Sequence, residues 1–295
     1  MKKPFLERIK DGVLLLDGAM GTQLDAHGIA PGECHEEWNV SHPEVVKQIH
    51  ADYIRAGSQA ILTNTFQGTR WCLDRHGLGD RVGEFNSAAL RLARKAAGKG
   101  RYVVADIGPT AQFVYPLGEK RQDEFAEVFR EEISFLADGA DAIAIQTMTA
   151  LEELVAAVRA AKQTQLPVIA SMSFTPDVGK GYRTIMGVSI EQMVRQLEEE
   201  GADGIGTNCG TVDIADVVKI VRQMRRLTSL PILAEPNAGR PRIVGETTVF
   251  DQTPEIMAGH IPALAEAGAN IIGGCCGTTP DHIRAFAEKL GIETP

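Results

Sequence analysis

Short apolar runs alternate eight times with amphipathic stretches along this chain. The apolar runs are Val13–Asp17, Ala60–Asn64, Tyr102–Ile107, Asp141–Gln146, Val168–Ser173, Gly204–Asn208, Pro231–Glu235 and Asn270–Cys275. Several are continuously apolar and β-branched, which is typical of strands buried on both faces of a parallel sheet. The helical patterns that follow them are Pro43–Ala56, Glu84–Ala97, Asp123–Asp138, Leu151–Gln163, Ile190–Glu200, Ile214–Leu227, Pro254–Ala267 and Pro280–Leu290. This alternation predicts βα units.

Glycine and proline mark the boundaries of these units. Gly57, Gly139, Gly201 and Gly268 each follow a predicted helix and lead directly into the next apolar run. Glycine just past a helix end supplies the left-handed residue that closes the last turn. At the other end, Thr279-Pro280-Asp281 has the order of an N-cap, a proline at the first helical position and an acid in the first turn.

Eight such units in 295 residues predict a (β/α)8 barrel of the TIM type. The alternative is a doubly wound open sheet, which would be expected to show a Gly-x-Gly-x-x-Gly turn after an early strand. This sequence has no such turn, and no stretch has the composition of a linker. We therefore expect residues 1–295 to form a single barrel domain, with residues 1–12 as a lead-in segment.

The charge and the distribution of apolar residues exclude several other classes of protein. A formal net charge of −9 argues against a general nucleic-acid binder, which normally presents a basic face. No apolar stretch approaches the roughly 18 residues of a membrane span, and charged residues interrupt the N-terminus where a signal peptide would be apolar. The five cysteines are not spaced as a disulfide framework. A reducing cytoplasmic location is expected, and it would keep the thiols available for metal.

Three of the cysteines follow the ends of predicted strands. Cys209 follows the sixth strand, and Cys275 and Cys276 end the eighth. In a barrel the carboxyl ends of the strands open onto one face, where functional groups lie. Adjacent residues of a regular strand point to opposite faces, so the pair can bind one ion only where the strand ends. The neighbouring Gly274 and Gly277 make that departure inexpensive. Three thiols with no obvious fourth ligand match a catalytic zinc site with an open position.

Other residues allow simpler readings. Cys34 and Cys72 are expected to be small buried hydrophobes or plain surface thiols. His282 could supply a fourth ligand and close the site into a structural one. Its position in the first turn after Pro280, however, favours an exposed helix residue.

Six motifs occur in an order that resembles a known family. They are Asp17-Gly18-Ala19-Met20-Gly21-Thr22, Thr63-Asn64-Thr65-Phe66, Asp106-Ile107-Gly108-Pro109-Thr110, Asn208-Cys209, Glu235-Pro236-Asn237-Ala238-Gly239 and Gly273-Gly274-Cys275-Cys276-Gly277-Thr278-Thr279-Pro280. Together they resemble the homocysteine S-methyltransferase family, most closely the homocysteine-binding modules of cobalamin-dependent methionine synthases. The resemblance covers about residues 10 to 291, and the paired cysteines with an upstream Asn-Cys are its most specific part.

The resemblance implies a zinc barrel and a set of site residues. The implied ligands are Cys209, Cys275 and Cys276. Asp17 and Gly18, at the end of the first strand, would lie near the amino acid part of homocysteine, although Asp17 also suits a turn. Asn64 and Asn237 would line the pocket or cap loops.

The implied chemistry follows from the ion. A free thiol is mostly protonated at neutral pH, whereas coordination to zinc deprotonates it. Three cysteinate ligands would leave the bound substrate sulfur nucleophilic enough to attack an activated methyl group. Zinc would then serve as activator and template rather than as a Lewis acid for water.

The sequence departs from the family at the end of the fourth strand. The family usually has Glu-Thr there, with the carboxylate placed to receive the homocysteine ammonium, whereas this chain has Gln146-Thr147. An amide cannot neutralise a cation, and the loss would be on the order of tenfold in affinity. Three outcomes stay open: homocysteine binds more weakly, another group takes the ammonium, or the true acceptor is a thiol without one.

The methyl donor is a second open question. Cobalamin-dependent methionine synthases carry folate, cobalamin and reactivation modules after this one, whereas this sequence stops at Pro295. We expect a separate methylcorrinoid protein to carry the methylcobalamin and supply the methyl group. One alternative is a small-molecule donor such as S-methylmethionine or a betaine. Another is a non-catalytic zinc barrel that binds amino acids or partners. The sequence carries no prediction of oligomeric state.

Overall fold

The computed structural model describes residues 2–179, 181–245 and 247–294. Within these ranges eight parallel strands form a nearly closed barrel with helices between them, which confirms the predicted fold. We number the strands β1 Leu14–Leu15, β2 Ala60–Leu62, β3 Tyr102–Ile107, β4 Ala142–Met148, β5 Val168–Met172, β6 Gly204–Asn208, β7 Ile232–Glu235 and β8 Ile271–Ile272. Met1 and Pro295, the ends of the predicted domain, lie outside the described residues.

The strands neighbour one another in chain order around the ring. The β8 strand returns to β1, with Leu14 opposite Ile271. Between β1 and β2 the ring is joined by the Gln59 N–H, which donates to the Leu15 carbonyl at 2.8 Å. The Asp17 carboxylate adds a second link, because it accepts the Leu62 N–H at 3.0 Å. Asp17, which the sequence predicts as a substrate residue, therefore also helps to close the barrel.

Helices follow the strands at the predicted places. The α-helices are Phe5–Arg8, Gly21–Ala26, Trp38–Ser41, Pro43–Arg55, Arg70–Asp74, Val82–Ala97, Gln122–Ser134, Leu151–Ala161, Ile190–Glu199, Ile214–Arg225, Pro254–Ala258, Ile261–Glu266 and Pro280–Leu290, with 3₁₀ turns at His35–Glu37 and Gly79–Arg81. The single helix predicted over Pro254–Ala267 is wrong, because it divides into two. Pro262 has no N–H for the Ala258 carbonyl, so the first helix cannot continue through it.

The barrel interior has an apolar lower layer. Leu14 of β1, Tyr102 and Val104 of β3, and Leu233 of β7 pack there with Phe5 and its neighbours from the first short helix, which covers the amino-terminal end of the barrel. Side chains of a strand alternate between its two faces. The next inward positions are therefore Asp106 on β3, Gln146 on β4 and Glu235 on β7, all of them buried.

Two hairpins stand on the carboxyl side of the barrel and were not predicted. Thr175–Asp177 pairs with Gly181–Arg183 after β5, and Arg242–Val244 pairs with Thr247–Val249 after β7. Both lie on the same side as the predicted thiol site. Within the described residues, none of the helices combines the length and apolarity needed to cross a membrane.

Candidate metal centre

Three cysteines from two strand ends meet at the carboxyl side of the barrel. The Sγ atoms of Cys209, Cys275 and Cys276 all lie within 4.8 Å of one another, and those of Cys275 and Cys276 are 4.0 Å apart. Zinc–sulfur bonds of about 2.3 Å at tetrahedral angles separate two ligand sulfurs by roughly 3.8 Å. The three thiols therefore fit one zinc ion with small adjustments, and they leave a fourth position.

Irregular backbone lets adjacent cysteines face the same point. The β8 strand ends at Ile272, so Cys275 and Cys276 lie in the turn that follows, as the predicted break required. Gly277 closes this turn with φ +80°, and a side chain there would overlap the Phe250 ring. Cys209 itself has φ +56°, a conformation that costs a non-glycine residue about 1–2 kcal/mol. The backbone turns through a positive φ angle at both places that supply thiols, and at Cys209 this conformation is strained.

The thiols strongly influence one another. Hydrogen bonds from Cys275 and then Cys276 lower the pKa of Cys209 to about 3. The Cys209 thiolate in turn raises the pKa of Cys276 to about 12, and it raises that of Cys275 well above its usual value. One thiol therefore ionises readily while the other two resist. A bound divalent cation would remove that resistance, since metal coordination deprotonates thiols.

His282 is neither exposed nor close to the thiols. The expectation of an exposed helix residue is wrong, since its side chain is buried with 6% of the residue exposed. Nδ1 accepts from the Thr279 N–H at 3.2 Å, and Nε2 lies 2.9 Å from the Gln252 carbonyl oxygen. The ring caps the start of the helix Pro280–Leu290. Both nitrogens are thus engaged elsewhere, which leaves the fourth metal position open to a ligand from outside.

A cavity of about 300 Å³ opens beside the thiols. Its wall includes the three cysteines and four of the predicted substrate residues: Asp17, Gly18, Asn64 and Gln146. Asn237 does not belong to this wall; its Nδ2 donates to the Gly210 carbonyl at 2.9 Å and supports the turn that carries Cys209. The structure therefore brings four of the five predicted substrate residues to the cavity.

Gly18 and Asn64 lie close against neighbouring segments of the chain. A side chain at Gly18 would meet Thr278 Oγ1 and the Tyr53 ring at less than normal contact distance. Asn64 Nδ2 donates to the His35 carbonyl at 2.9 Å and to Asn39 Oδ1 at 3.0 Å. These contacts match the loop-capping alternative for Asn64, and a substrate contact by either residue stays a prediction.

Three further carboxylates line the cavity, and none of them was predicted as a site residue: Glu36, Asp106 and Glu235. Asp106 and Glu235 belong to the family motifs and lie at the ends of apolar strands. Side chains of a strand alternate between its two faces, and Asp106 and Glu235 both occupy positions that face the barrel interior. This alternation could have identified them from the sequence. Burial raises the pKa of Asp106 well above its usual value, and the nearby carboxylates of Glu235, Asp17 and Glu36 add to the effect.

Glu235 is hydrogen-bonded to the residue that departs from the family. The Gln146 amide Nε2 donates to Glu235 Oε2 at 2.6 Å. The next residue, Thr147, has φ +60° at an irregularity in β4, and its N–H donates to Asn208 Oδ1 at 2.8 Å. Burial raises the pKa of Glu235 to about 8; the Gln146 hydrogen bond opposes the rise and the Cys209 charge adds to it.

The wall of this cavity is rich in carboxyl groups. Its carboxylates are Asp17, Glu36, Asp106 and Glu235, and among the described residues the wall contains no lysine or arginine. The Oδ1 atoms of Asp17 and Asp106 are buried without a hydrogen-bond partner in the described part of the chain. Uncompensated buried charge is costly. A cationic ligand would favour the ionised form of these carboxyl groups, which burial alone opposes.

Comparison with known proteins gives consistent matches. The family described as homocysteine S-methyltransferase matches residues 14–290. A methionine synthase from Mycobacterium tuberculosis is 31% identical over 97% of this chain, and one from Mycobacterium leprae is 30% identical over the same share. Among solved structures, the metallated form of the homocysteine methyltransferase MmuM from Escherichia coli superposes with a TM-score of 0.78 at 26% identity; the match covers 97% of this chain and 100% of that chain.

These relatives differ in length. The chain spans about a quarter of each mycobacterial methionine synthase, since the match covers 25% of either protein. It spans the whole of the MmuM structure. The likeness thus extends over one barrel in every case.

Proposed function

This chain belongs to the homocysteine S-methyltransferase family, and from that premise we propose that it is a zinc-dependent enzyme that methylates the sulfur of homocysteine or a closely related thiol. The observation that carries the proposal is the convergence of Cys209, Cys275 and Cys276 beside a cavity, with no fourth ligand from His282. Three protein ligands and an open position are the pattern of a catalytic zinc. The thiols suit a reducing compartment, so we propose a cytoplasmic location as well.

The residues of the chain have separable tasks in this reaction. Cys209, Cys275 and Cys276 would hold the metal, which when bound favours the thiolate form of the acceptor. The cavity is the size of a small-molecule site, and its buried wall limits access of water. The acceptor gives up its S–H proton to solvent, its sulfur electron pair forms the new bond to the methyl carbon, and the donor keeps the electron pair of the bond that breaks.

The rim formed by the loops at the carboxyl end of the barrel supports a protein as the methyl donor. Seven large apolar side chains are exposed on the loops after β3, β5 and β7, as counted over the described residues: Phe113, Tyr115, Leu117, Val178, Ile185, Ile243 and Val244. These loops stand at the end of the barrel that holds the thiols. Clustered exposed apolar side chains are typical of protein interaction sites. A small-molecule donor would not need them, so we propose a separate methylcorrinoid protein as the donor.

Metal analysis and a methyl-transfer assay test the function. We expect one zinc per chain, and methyl transfer from methylcobalamin or a methylated corrinoid protein to homocysteine. Chelation should abolish the transfer, and added zinc should restore it. Substoichiometric zinc together with no methyl transfer to any thiol would refute the proposal and leave the non-catalytic barrel. Transfer from S-methylmethionine or a betaine, with none from either corrinoid donor, would establish the small-molecule alternative.

A pair of rim substitutions tests the donor. In the double variant Tyr115→Ser, Leu117→Ser, two side chains that are 72% and 70% exposed lose their apolar surface. We expect slower transfer from a methylated corrinoid protein and an unchanged rate from free methylcobalamin. Leu227→Ser is the matched control, because Leu227 is also exposed but follows the helix Ile214–Arg225, away from the rim. Equal rates for the double variant and the control with the protein donor would contradict a docking role.

A further inference from the structure

One layer of the barrel interior gathers acidic side chains from strands that are distant in the sequence. Asp106, Gln146 and Glu235 occupy the inward positions directly above the apolar layer on β3, β4 and β7. Glu235 is 1% exposed and lines the cavity. Backbone regularity, rather than a flexible loop, thus places its carboxylate inside the site.

Zinc alone does not neutralise this cavity. Three cysteinates and one zinc ion leave a net charge of −1, and a bound substrate thiolate makes it more negative. Among the described residues the wall provides no lysine or arginine to offset the carboxylates of Asp17, Asp106 and Glu235. A buried carboxyl group either keeps its proton or pairs with a cation, and a ligand that brings its own positive charge provides such a pairing here. An amine on the acceptor thiol is a group of this kind.

Glu235 is the carboxylate best placed for that amine. It lies opposite Asn208 in the β6–β7 register, so it neighbours Cys209 across one strand spacing of about 4.8 Å. Cys209 and Glu235 line the same cavity, so a small ligand whose sulfur is at the metal position can bring an amine to the carboxylate. The Asp17 carboxylate accepts the Leu62 N–H through Oδ2 and so has a structural role at the junction of β1 and β2.

Gln146 orients this carboxylate. Its Nε2 donates to Glu235 Oε2 at 2.6 Å, and both side chains are buried in the same wall. The bond fixes one carboxylate oxygen and leaves the other, together with the Gln146 carbonyl oxygen, as acceptors. A glutamate at position 146 beside Glu235 would instead bring two carboxylates within hydrogen-bond distance, where both cannot be ionised.

We propose that Glu235 binds the ammonium group of the acceptor and that Gln146 is its positioning residue. The carboxylate that selects an amino thiol thus comes from β7 rather than from β4, and glutamine at position 146 does not signal an acceptor without an amine. The proposal rests on the proposed function for the site of the thiol, and it adds the residue that binds the amine of the acceptor and the residue that positions it.

A carboxylate–amide exchange tests the proposal. The variants are Glu235→Gln, Gln146→Glu and the double exchange, with Asp106→Asn as the control carboxylate. Each is nearly isosteric with the residue it replaces. Binding of homocysteine and of γ-mercaptobutyrate, which is homocysteine without its amino group, is measured by calorimetry on zinc-loaded protein. Methyl-transfer KM and kcat are measured in parallel with both thiols.

We expect Glu235→Gln to weaken homocysteine binding by about tenfold or more and to leave γ-mercaptobutyrate binding unchanged or tighter. The double exchange should recover most of the loss, because the carboxylate returns on the other side of the same hydrogen bond. Asp106→Asn should have a smaller effect that is alike for both thiols. KM should change more than kcat, since the ammonium does not take part in the bond changes.

Three results would overturn the proposal: equal effects of Glu235→Gln on both thiols, a selective loss in Asp106→Asn instead, or a wild-type preference for γ-mercaptobutyrate. Failure of the proposed function gives a different result. In that case homocysteine binding still depends on Glu235, while no methyl group reaches any thiol.

Discussion

The thiol side and the carboxylate side of the cavity are built by different means. Cys209, Cys275 and Cys276 lie on irregular backbone past strand ends, where glycines and positive φ angles turn the chain. Asp106 and Glu235 lie in regular strands, and the alternation of side chains points them inward. A metal centre that uses adjacent residues needs the first arrangement, because neighbours in a strand diverge.

The two sides should therefore respond differently to substitution. The thiol side depends on a few backbone conformations that the surrounding packing must maintain. The carboxylate side depends on strand register, which the whole ring determines, and its buried charges are themselves a source of instability. Substitutions on the thiol side should lower both activity and metal binding. Substitutions on the carboxylate side should lower activity but raise the free energy of unfolding.

The largest effect is expected from Cys276→Ser. Loss of a ligand thiolate should reduce zinc binding and lower methyl transfer by more than the 10–100-fold typical of outer-sphere changes. Zinc content and initial rates are the measurements. Cys34→Ser is the control, because Cys34 is buried outside the cluster and its weak bond to Glu36 can be kept by a hydroxyl. Full zinc and full activity in Cys276→Ser would remove it from the ligand set.

A smaller effect is expected from Gly277→Ala. Alanine at φ +80° strains the backbone by about 1–2 kcal/mol, and its methyl group would overlap Phe250. We expect lower unfolding free energy and about 10–100-fold weaker zinc binding, measured by urea denaturation and by competition with a chelator.

Gly291→Ala separates strain from overlap. Gly291 has φ +66°, and a side chain there meets no atom within 4 Å. This variant should lose stability alone, with zinc affinity unchanged. Equal zinc affinities for Gly277→Ala and Gly291→Ala would show that the turn does not control the metal centre.

The smallest effect on activity is expected from Asp106→Asn, on the carboxylate side. This variant should raise the unfolding free energy, whereas Gly277→Ala should lower it. Burial raises the pKa of Asp106 above its unfolded value of 3.8, with Glu235, Asp17 and Glu36 adding to the rise. The folded protein therefore keeps a proton that the unfolded chain releases, so this group lowers stability as the pH rises above about 4. Asp106→Asn does not lose stability in this way, because an amide does not ionise. Its advantage in unfolding free energy should grow by at most about 1.4 kcal/mol per pH unit.

Urea denaturation of the wild type and Asp106→Asn at several pH values between 4 and 8 gives the measurement. Glu153→Gln serves as a reference, because burial also raises the pKa of Glu153, whereas Thr110 donates to its carboxylate from both N–H and hydroxyl. Glu153→Gln should not raise the unfolding free energy to the same extent as Asp106→Asn. An advantage for Asp106→Asn that is constant with pH would contradict the assigned cause.

Much of the molecule could be predicted from sequence because its signals are local. The apolar runs, the glycines after helices and the cysteines at strand ends each lie within one βα unit, and parallel strands bring their carboxyl ends to one face. The turn at Cys275 and Cys276 was also predictable, since adjacent side chains cannot converge from a regular strand.

Other features depended on distant pairs. Gln146 and Glu235 are 89 residues apart, and no local pattern connects them. His282 is buried where Nε2 contacts the Gln252 carbonyl oxygen, 30 residues away along the chain. The single helix predicted over 254–267 from apolar periodicity did not take account of Pro262, whose missing N–H divides the segment into two helices.

The sequence by itself determined the barrel and the set of thiols, because hydrophobic periodicity and strand-end positions are properties of neighbouring residues. Only the tertiary structure decided which carboxylates line the cavity and which of them is bonded to Gln146. Closure of the ring brings the inward side chains of β4 and β7 within hydrogen-bond distance across the interior, and a contact across a closed sheet has no counterpart in local sequence spacing.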